Sequence, residues 1–83
     1  MKVKVKYRGT LVGLADKPTE EIEAGTVKDV LHHIKANYGG DAEKQAKVMI
    51  IAVNGENILK KMHFKTALRD GDEITFFPIC GGG

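Results

Sequence analysis

The residues best suited to chemistry are the last six of the sequence, Pro78 to Gly83, because they end in a carboxylate carried on three glycines. Glycine loses the most backbone entropy on ordering and buries no side chain, so Gly81–Gly83 contribute little to a folded core. They do supply a thin, flexible lead to one reactive group, the carboxylate of Gly83. Since glycine has no Cβ, such a lead can thread a narrow channel in a partner protein. The sequence therefore predicts a tail that is presented to another protein.

Other chemically active side chains lack companions at a useful spacing. Cys80 has no neighbouring cation or helix N-terminus in the sequence that would activate its thiol, so we interpret it as a small apolar residue that contacts a partner. The three histidines, His32, His33 and His63, have no carboxylate or cysteine at ligand spacing, which favours solvated residues over a zinc site. No general base, metal-ligand set or phosphate-binding loop lies near the tail.

Length and composition favour one small domain that works with partners. A chain of 83 residues buries only about 60% of its unfolded surface, which favours a carrier or interaction module over an enzyme acting alone. The net charge of +2 is too small to indicate nucleic-acid binding. A single cysteine excludes an internal disulfide and fits a reducing compartment. With no signal peptide and no apolar run of membrane-spanning length, we expect a cytoplasmic protein and no membrane partner.

Alternating residues predict an N-terminal hairpin. Residues 2–8 alternate between apolar and basic side chains, which is typical of a half-buried strand with a cationic outer face. A short apolar connection follows at residues 11–14, predicted as a turn or a single helical turn. A second strand over residues 20–24 would place three glutamates opposite the lysines of the first strand: Glu20, Glu21 and Glu23. This pairing favours a salt-bridged hairpin over a nucleic-acid stripe, with Lys4 and Lys6 also available to acidic partner surfaces.

Capping and spacing predict one main helix. Thr26 is a candidate N-cap, and Asp29 at the third helical position completes a capping box. Apolar residues then recur at helical spacing: Val27, Val30, Leu31, Ile34 and Tyr38. The glycines at 39 and 40 provide a C-cap. The polar residues 41–47 predict only a turn or a loose helical turn.

The second half of the chain predicts three more strands. The run VMIIAV at residues 48–53 is apolar on both faces, and Asn54-Gly55 is typical of a hairpin turn to a short edge strand over residues 56–59. A polar connection over residues 60–65 and a tight turn at residues 70–72 precede the last strand, residues 73–77, which Pro78 ends.

The element order β-β-α-β-β-β predicts an α+β chain with the ubiquitin-like β-grasp fold, a mixed sheet with one main helix on one face. The domain would span residues 1–83, with residues 78–83 as its flexible tail. The other face of the sheet would be open and carry Lys4, Lys6 and one of Phe76 and Phe77, because neighbours on a strand point to opposite faces.

The stretch DGDEITFFPICGGG, residues 70–83, resembles the C-terminus of the sulfur-carrier family that includes the molybdopterin synthase small subunit (MoaD) and ThiS of thiamine synthesis. The shared features are the DGDE turn, a strand ending in Phe-Phe-Pro and a terminal Gly-Gly. Two positions depart from the pattern: Ile79 stands where the family commonly has a second proline, and Gly81 occupies a small or variable position. Aligned without gaps, Gly82 and Gly83 match the family's terminal pair.

The resemblance implies a sulfur carrier that is not itself an enzyme and binds no cofactor or metal. A partner activating enzyme of the MoeB or ThiF kind would use ATP and Mg²⁺ to adenylate Gly83, and sulfur transfer would give a C-terminal thiocarboxylate. The residues implied to contact partners form the tail and the end of the last strand: Phe76, Phe77, Pro78, Ile79, Cys80, Gly81 and Gly82. The Phe-Phe-Pro ending favours the MoaD branch, in which the tail enters a molybdopterin synthase large subunit (MoaE-like).

Three alternatives stay open at this point. The chain could be a ThiS-like carrier that serves a thiazole synthase, or a ubiquitin-like modifier joined through Gly83 to lysines of target proteins. It could also be a β-grasp interaction domain whose tail is idle. An activated Gly83 carboxylate serves the carrier and the modifier alike, since attack by sulfide gives a carrier and attack by an amine gives a tag.

Overall fold

The structure, a computed structural model, describes residues 1–79. Within them the strands are β1 (Lys2–Lys6), β2 (Thr19–Glu23), β3 (Ile50–Val53), β4 (Glu56–Asn57) and β5 (Glu73–Phe77). The helices are α1 (Thr10–Ala15), α2 (Val27–Tyr38) and α3 (Gly40–Val48), and two short 3-10 turns cover Ile58–Lys60 and His63–Lys65.

The five strands form one mixed sheet in the order β2-β1-β5-β3-β4. Strand β5 lies at its centre, parallel to β1 and antiparallel to β3. The two hairpins, β1–β2 and β3–β4, form the flanks. The predicted ubiquitin-like β-grasp fold is confirmed, with a parallel central pair that needs the long crossover through α2 and α3.

The core lies between the sheet and α2. The predicted stripe of α2 is buried at Val27, Val30, Leu31 and Ile34, and it packs against the inward side chains of the strands. The predicted capping box is present: Asp29 N donates to Thr26 Oγ1 and the Asp29 carboxylate accepts from Thr26 N at 3.1 Å. Gly39 ends the helix at φ 98°, a conformation that favours glycine.

The segment after α2 was predicted wrongly. Residues 40–48 form a regular helix rather than a loose turn, and Ala42 and Ala46 are buried one turn apart against the core. Two alanines at i and i+4 make a narrow apolar stripe that allows α3 to approach α2 closely. Because α3 includes Val48, β3 begins only at Ile50, two residues later than predicted.

The hairpin pairing was predicted correctly for two of the three glutamates. Lys2 lies opposite Glu23 and Lys4 opposite Glu21 on the open face. Glu20 instead lies opposite Val5, on the face that α2 covers, because residues 20 and 21 point to opposite sides of the sheet. The first strand also ends earlier than predicted, at Lys6.

Two further predictions differ in extent, and a third is confirmed. The apolar connection at residues 11–14 is a six-residue helix, α1, which buries Leu11 and Ala15. The edge strand β4 has two residues, because the Asn57 side chain accepts from Leu59 N at 2.9 Å and starts a 3-10 turn. The Asn54-Gly55 hairpin turn is confirmed, with both residues at positive φ.

Candidate functional site at the root of the tail

The strand that leads to the tail is held at both flanks and at its start. Asn54 Nδ2 donates to Asp72 Oδ1 at 2.9 Å, and Glu73 N donates to Asn54 Oδ1 at 3.0 Å. Asp72 Oδ2 also accepts from Arg69 N at 2.8 Å. The Arg69 amide, followed by the Asn54 side chain, lowers the pKa of Asp72 below its usual value. The predicted turn at residues 70–72 therefore joins the β3–β4 hairpin to the first residue of β5.

The two consecutive phenylalanines point to opposite faces, as predicted. Phe76 is 0% exposed and stacks on the Tyr7 ring, with centroids 6.2 Å apart and ring planes inclined by 29°. Phe77 is 38% exposed and pairs across the ladder with Ile50, which is 44% exposed. The Arg8 guanidinium carbon lies 5.7 Å from the centroid of the Phe77 ring. Phe76 therefore anchors the strand, whereas Phe77 and Ile50 form an apolar pair on the open face.

Exposed apolar side chains continue from this pair around the end of β5. We call this set the tail-root surface: Val48, Ile50, Leu59, Phe77 and Ile79, all exposed. Four of them, all but Phe77, also line a hollow of about 230 Å³ beside the end of β5. Contiguous apolar surface on a small domain marks a site of protein contact, and here it lies where the chain leaves the sheet.

Gly9 is a residue of the site that the sequence did not identify. Its backbone has φ 63° and ψ −138°, a region open essentially to glycine. A Cβ at this position would lie 3.2 Å from both Cβ and Cγ of Pro78. The missing side chain thus lets Pro78, the first residue after β5, lie directly against the β1–α1 connection. In the sequence Gly9 directly follows the alternating residues 2–8, where a glycine indicates only the end of a strand.

On the face of the sheet that α2 covers, a cluster of polar side chains around the Glu20 carboxylate joins α2 to the β1–β2 hairpin. The Glu20 side chain, 13% exposed, accepts from Tyr7 Oη at 2.5 Å and from Tyr38 Oη at 2.7 Å. Its Oε2 also lies 3.2 Å from His33 Nε2, and Lys17 Nζ lies 3.6 Å from Oε1. These contacts explain how a glutamate is accommodated on the covered face.

The cluster shifts the pKa values of three of its side chains. Partial burial alone would raise the Glu20 pKa, but hydrogen bonds from Tyr7 and Tyr38, with His33 and Lys17 nearby, outweigh it and leave that pKa below its usual value. Burial, followed by the hydrogen bond to Glu20, raises the pKa of Tyr38 to about 12. The same causes raise the pKa of Tyr7 further. At neutral pH the cluster therefore holds one carboxylate and two neutral hydroxyls.

The remaining predicted residues are dispersed. His33 contacts Glu20, His63 packs edge-on against Phe64, and no three metal-ligating side chains come together within residues 1–79. Lys4 and Lys6 lie on the open face as predicted, and Lys6 Nζ is 3.0 Å from Glu73 Oε1. No helix in the described part of the chain is long and apolar enough to cross a membrane. Cys80, Gly81, Gly82 and Gly83 lie outside the described residues, so their predicted roles stay predictions.

Known proteins resemble this chain along most of its length. The ThiS family matches residues 5–83. Small archaeal modifier protein 3 of Haloferax volcanii is 35% identical over 65 residues, which cover 70% of each chain. The solution structure of small archaeal modifier protein 1 from Methanosarcina acetivorans superposes with a TM-score of 0.85 at 27% identity, over 99% of this chain and 96% of that one.

A second similar structure comes from a complex of two subunits. It is the protein–protein complex of subunits 1 and 2 of the molybdopterin-converting factor from Helicobacter pylori. The matched chain has a TM-score of 0.72 at 26% identity, with 100% of both chains covered.

Proposed function

This chain belongs to the ThiS family of small ubiquitin-like sulfur carriers and modifiers, and from that premise we propose that it carries sulfur on Gly83 for molybdopterin synthesis. A partner activating enzyme adenylates the Gly83 carboxylate with ATP and Mg²⁺. The resulting thiocarboxylate then donates sulfur inside a large synthase subunit. The family match, which runs through Gly83, supports Gly83 as the reacting residue.

The observation that carries this proposal is the position of the tail-root surface. Phe77 and Ile50 are paired and exposed on the open face, directly before Pro78 and the tail. Strand β5 is hydrogen-bonded on both sides, so a partner that binds the tail-root surface receives the tail from a fixed starting point. Pre-organisation of this kind lowers the entropy cost of placing the tail in a partner's active site.

The chemistry requires an activated acyl group because a carboxylate is a poor electrophile. A Gly83 carboxylate oxygen attacks the α-phosphorus of ATP, and pyrophosphate leaves. Sulfide then attacks the acyl carbon and AMP leaves, which converts the carboxylate to a thiocarboxylate. The partner supplies the ATP site, the metal and the sulfur donor, whereas this chain supplies the acyl group and the docking surface.

The molybdopterin branch is supported by the Phe76-Phe77-Pro78 ending and by the likeness to the Helicobacter pylori two-subunit complex. In that branch the partners are a MoeB-like activating enzyme and a MoaE-like large subunit. A thiazole synthase takes the place of the large subunit if the chain instead serves the ThiS reaction.

A second candidate function, conjugation to proteins, is favoured by the 35% identity to small archaeal modifier protein 3. The activated Gly83 acyl group is the same in both functions. In conjugation a target lysine amine attacks the acyl carbon, AMP leaves and an isopeptide bond forms. The two functions therefore differ in the nucleophile that the partners admit.

The experiment combines the full chain with an activating enzyme, ATP, Mg²⁺ and sulfide, and measures pyrophosphate release and intact mass. We expect a gain of about 16 Da, the exchange of one oxygen for sulfur, located by fragmentation at Gly83. A Cys80→Ser variant is the matched control, because oxidation of Cys80 adds nearly the same mass. A chain without Gly82 and Gly83 that still releases pyrophosphate would refute activation at Gly83.

The molecule that accepts the sulfur or the acyl group distinguishes the two sulfur-transfer pathways from conjugation to proteins. Molybdopterin formation on adding a large subunit and the pterin precursor supports the first function. Thiazole formation with a thiazole synthase would instead assign the chain to the ThiS reaction. Conjugation is read from cells by mass spectrometry of branched tryptic peptides. Since Arg69 is the last tryptic site, a modified lysine carries residues 70–83.

A further inference from the structure

A second hollow, of about 270 Å³, lies on the helical side of the sheet, between α2, α3 and the 3-10 turn at residues 63–65. We call it the helical-face groove. Leu31, which is buried, and Phe64, which packs partly buried against the core, form its floor. Lys28 lies three residues before Leu31 and four before His32, so it neighbours both of them on the surface of α2. The groove faces away from the exposed Phe77–Ile50 pair.

The rim of this groove is basic. Lys28, Lys47 and Lys65 surround the apolar floor, one from each of the three elements. Of the side chains that the structure describes, Glu43 is the only acidic one in the lining, and its Oε2 lies 3.8 Å from Lys47 Nζ. Within residues 1–79 neither Lys28 nor Lys65 takes part in an ion pair. Two uncompensated cations therefore stand beside an apolar floor.

We propose that the helical-face groove binds a short acidic segment of a second protein. One apolar side chain of that segment rests on Leu31 and Phe64, and flanking carboxylates lie beside Lys28 and Lys65. The open groove suits one apolar side chain of a peptide, because cofactor pockets enclose most of the surface of the ligand. Charge complementarity of the rim selects acidic segments and speeds their association.

Nucleic acid fits this groove less well than an acidic peptide. Recognition of single strands uses a continuous basic track with aromatic platforms for successive bases. Among the described residues the groove lining has one Phe, Tyr or Trp side chain, Phe64, which His63 contacts edge-on at 4.2 Å between ring centroids. The Glu43 carboxylate in the lining would also repel phosphates.

The groove does not include the residues that carry the tail chemistry. Its lining contains neither Phe77 nor Ile50, although it shares Lys47 and Phe64 with the hollow beside the end of β5. An acidic segment seated on Leu31, Lys28 and Lys65 leaves the Phe77–Ile50 pair uncovered, and it competes with an activating partner only where that partner reaches Lys47 or Phe64. Loss of Gly83 activation therefore does not bear on this proposal, and loss of groove binding does not bear on activation.

The test selects ligands from a display library of short random peptides against the full chain, and the synthesised consensus peptide is the probe. We expect a consensus with an apolar residue between Asp or Glu residues, and amide chemical-shift changes confined to the region of Lys28, His32, Phe64 and Lys65. Lys28→Glu with Lys65→Glu should weaken binding at least about tenfold, and raising the salt to about 0.5 M should weaken it as well.

Lys44→Glu is the control for a single charge reversal, because it makes on α3, outside the groove lining, the change that each of the two substitutions makes. It should leave the affinity within about twofold, as expected for an exposed charge with little direct contact. Selected peptides without acidic enrichment would overturn the proposal. So would shift changes that map to the open face, or an oligonucleotide that displaces the peptide at equal concentration. Thermal melts of both variants show that any loss is not unfolding.

Discussion

Replacing Gly9 by alanine tests two roles of this glycine, its backbone conformation and its close approach to Pro78. Gly9, at φ 63° and ψ −138°, and Gly39, at φ 98° and ψ 167°, both have backbone conformations that side chains disfavour. Each alanine variant should lose about 1–3 kcal/mol of unfolding free energy from this strain. Gly39 has no atom within 4 Å of an added Cβ, whereas Gly9 has Pro78 at 3.2 Å. Gly39→Ala is therefore the control for strain without the Pro78 contact.

The difference between the two variants should appear in activation of the tail. Carbon atoms pack best at about 3.5–4.0 Å, so an alanine at position 9 must push Pro78 outward by a few tenths of an ångström. Displacement of a reacting group by about 1 Å can cost a hundredfold in rate. At the tail root, where part of the shift is absorbed along the chain, we expect Gly9→Ala to slow Gly83 adenylation by about tenfold.

Urea unfolding measures the shared strain, and pyrophosphate release with an activating enzyme measures the separate effect. Both variants are assayed at a temperature where each is folded. Gly39→Ala should be activated at the wild-type rate despite its lower stability. If Gly9→Ala were activated as fast as Gly39→Ala, the contact with Pro78 would not position the tail, and that reasoning would be wrong.

Three further outcomes are expected. Phe77→Asp should weaken binding of the activating enzyme with little change in the melting temperature. Phe76→Asp should instead cost at least about 3 kcal/mol of stability, because only Phe76 of the two is fully buried. Equal melting temperatures of the two variants would contradict this. Glu20→Gln should lower unfolding free energy at neutral pH by about 1–3 kcal/mol, since hydrogen bonds to a charged acceptor become neutral ones. Because the folded Glu20 pKa is lowered, its contribution is present above about pH 4.3 and is lost as pH falls through the folded value, so wild-type and variant urea curves should converge in acid. The raised pKa of Tyr38, about 12, predicts little tyrosinate absorbance at pH 10 in the native protein. Stability from the neutral hydroxyl is present below about pH 10 and is lost as pH rises through about 12. Ionisation of Tyr38 or Tyr7 at the usual tyrosine pKa would contradict the hydrogen-bonded cluster around Glu20.

Much of the fold was predictable because its signals are local. The alternation of β1, the capping box of Thr26 and Asp29, and the Asn54-Gly55 turn each depend on residues close in sequence. The helix α3 was missed because its apolar stripe consists of two alanines, Ala42 and Ala46. Such small side chains become a core only when α2 lies against them.

The candidate site was also predictable from the sequence only in part. The sequence by itself determined the ubiquitin-like fold and the opposite directions of Phe76 and Phe77, since period-2 alternation and turn chemistry act over a few residues. Only the tertiary structure decided that Gly9 meets Pro78, that Glu20 is held by Tyr7 and Tyr38, and that Lys28 and Lys65 share one groove. These contacts join residues 13 to 69 positions apart. No local pattern encodes them, because the packing of α2 and β5 brings the residues together.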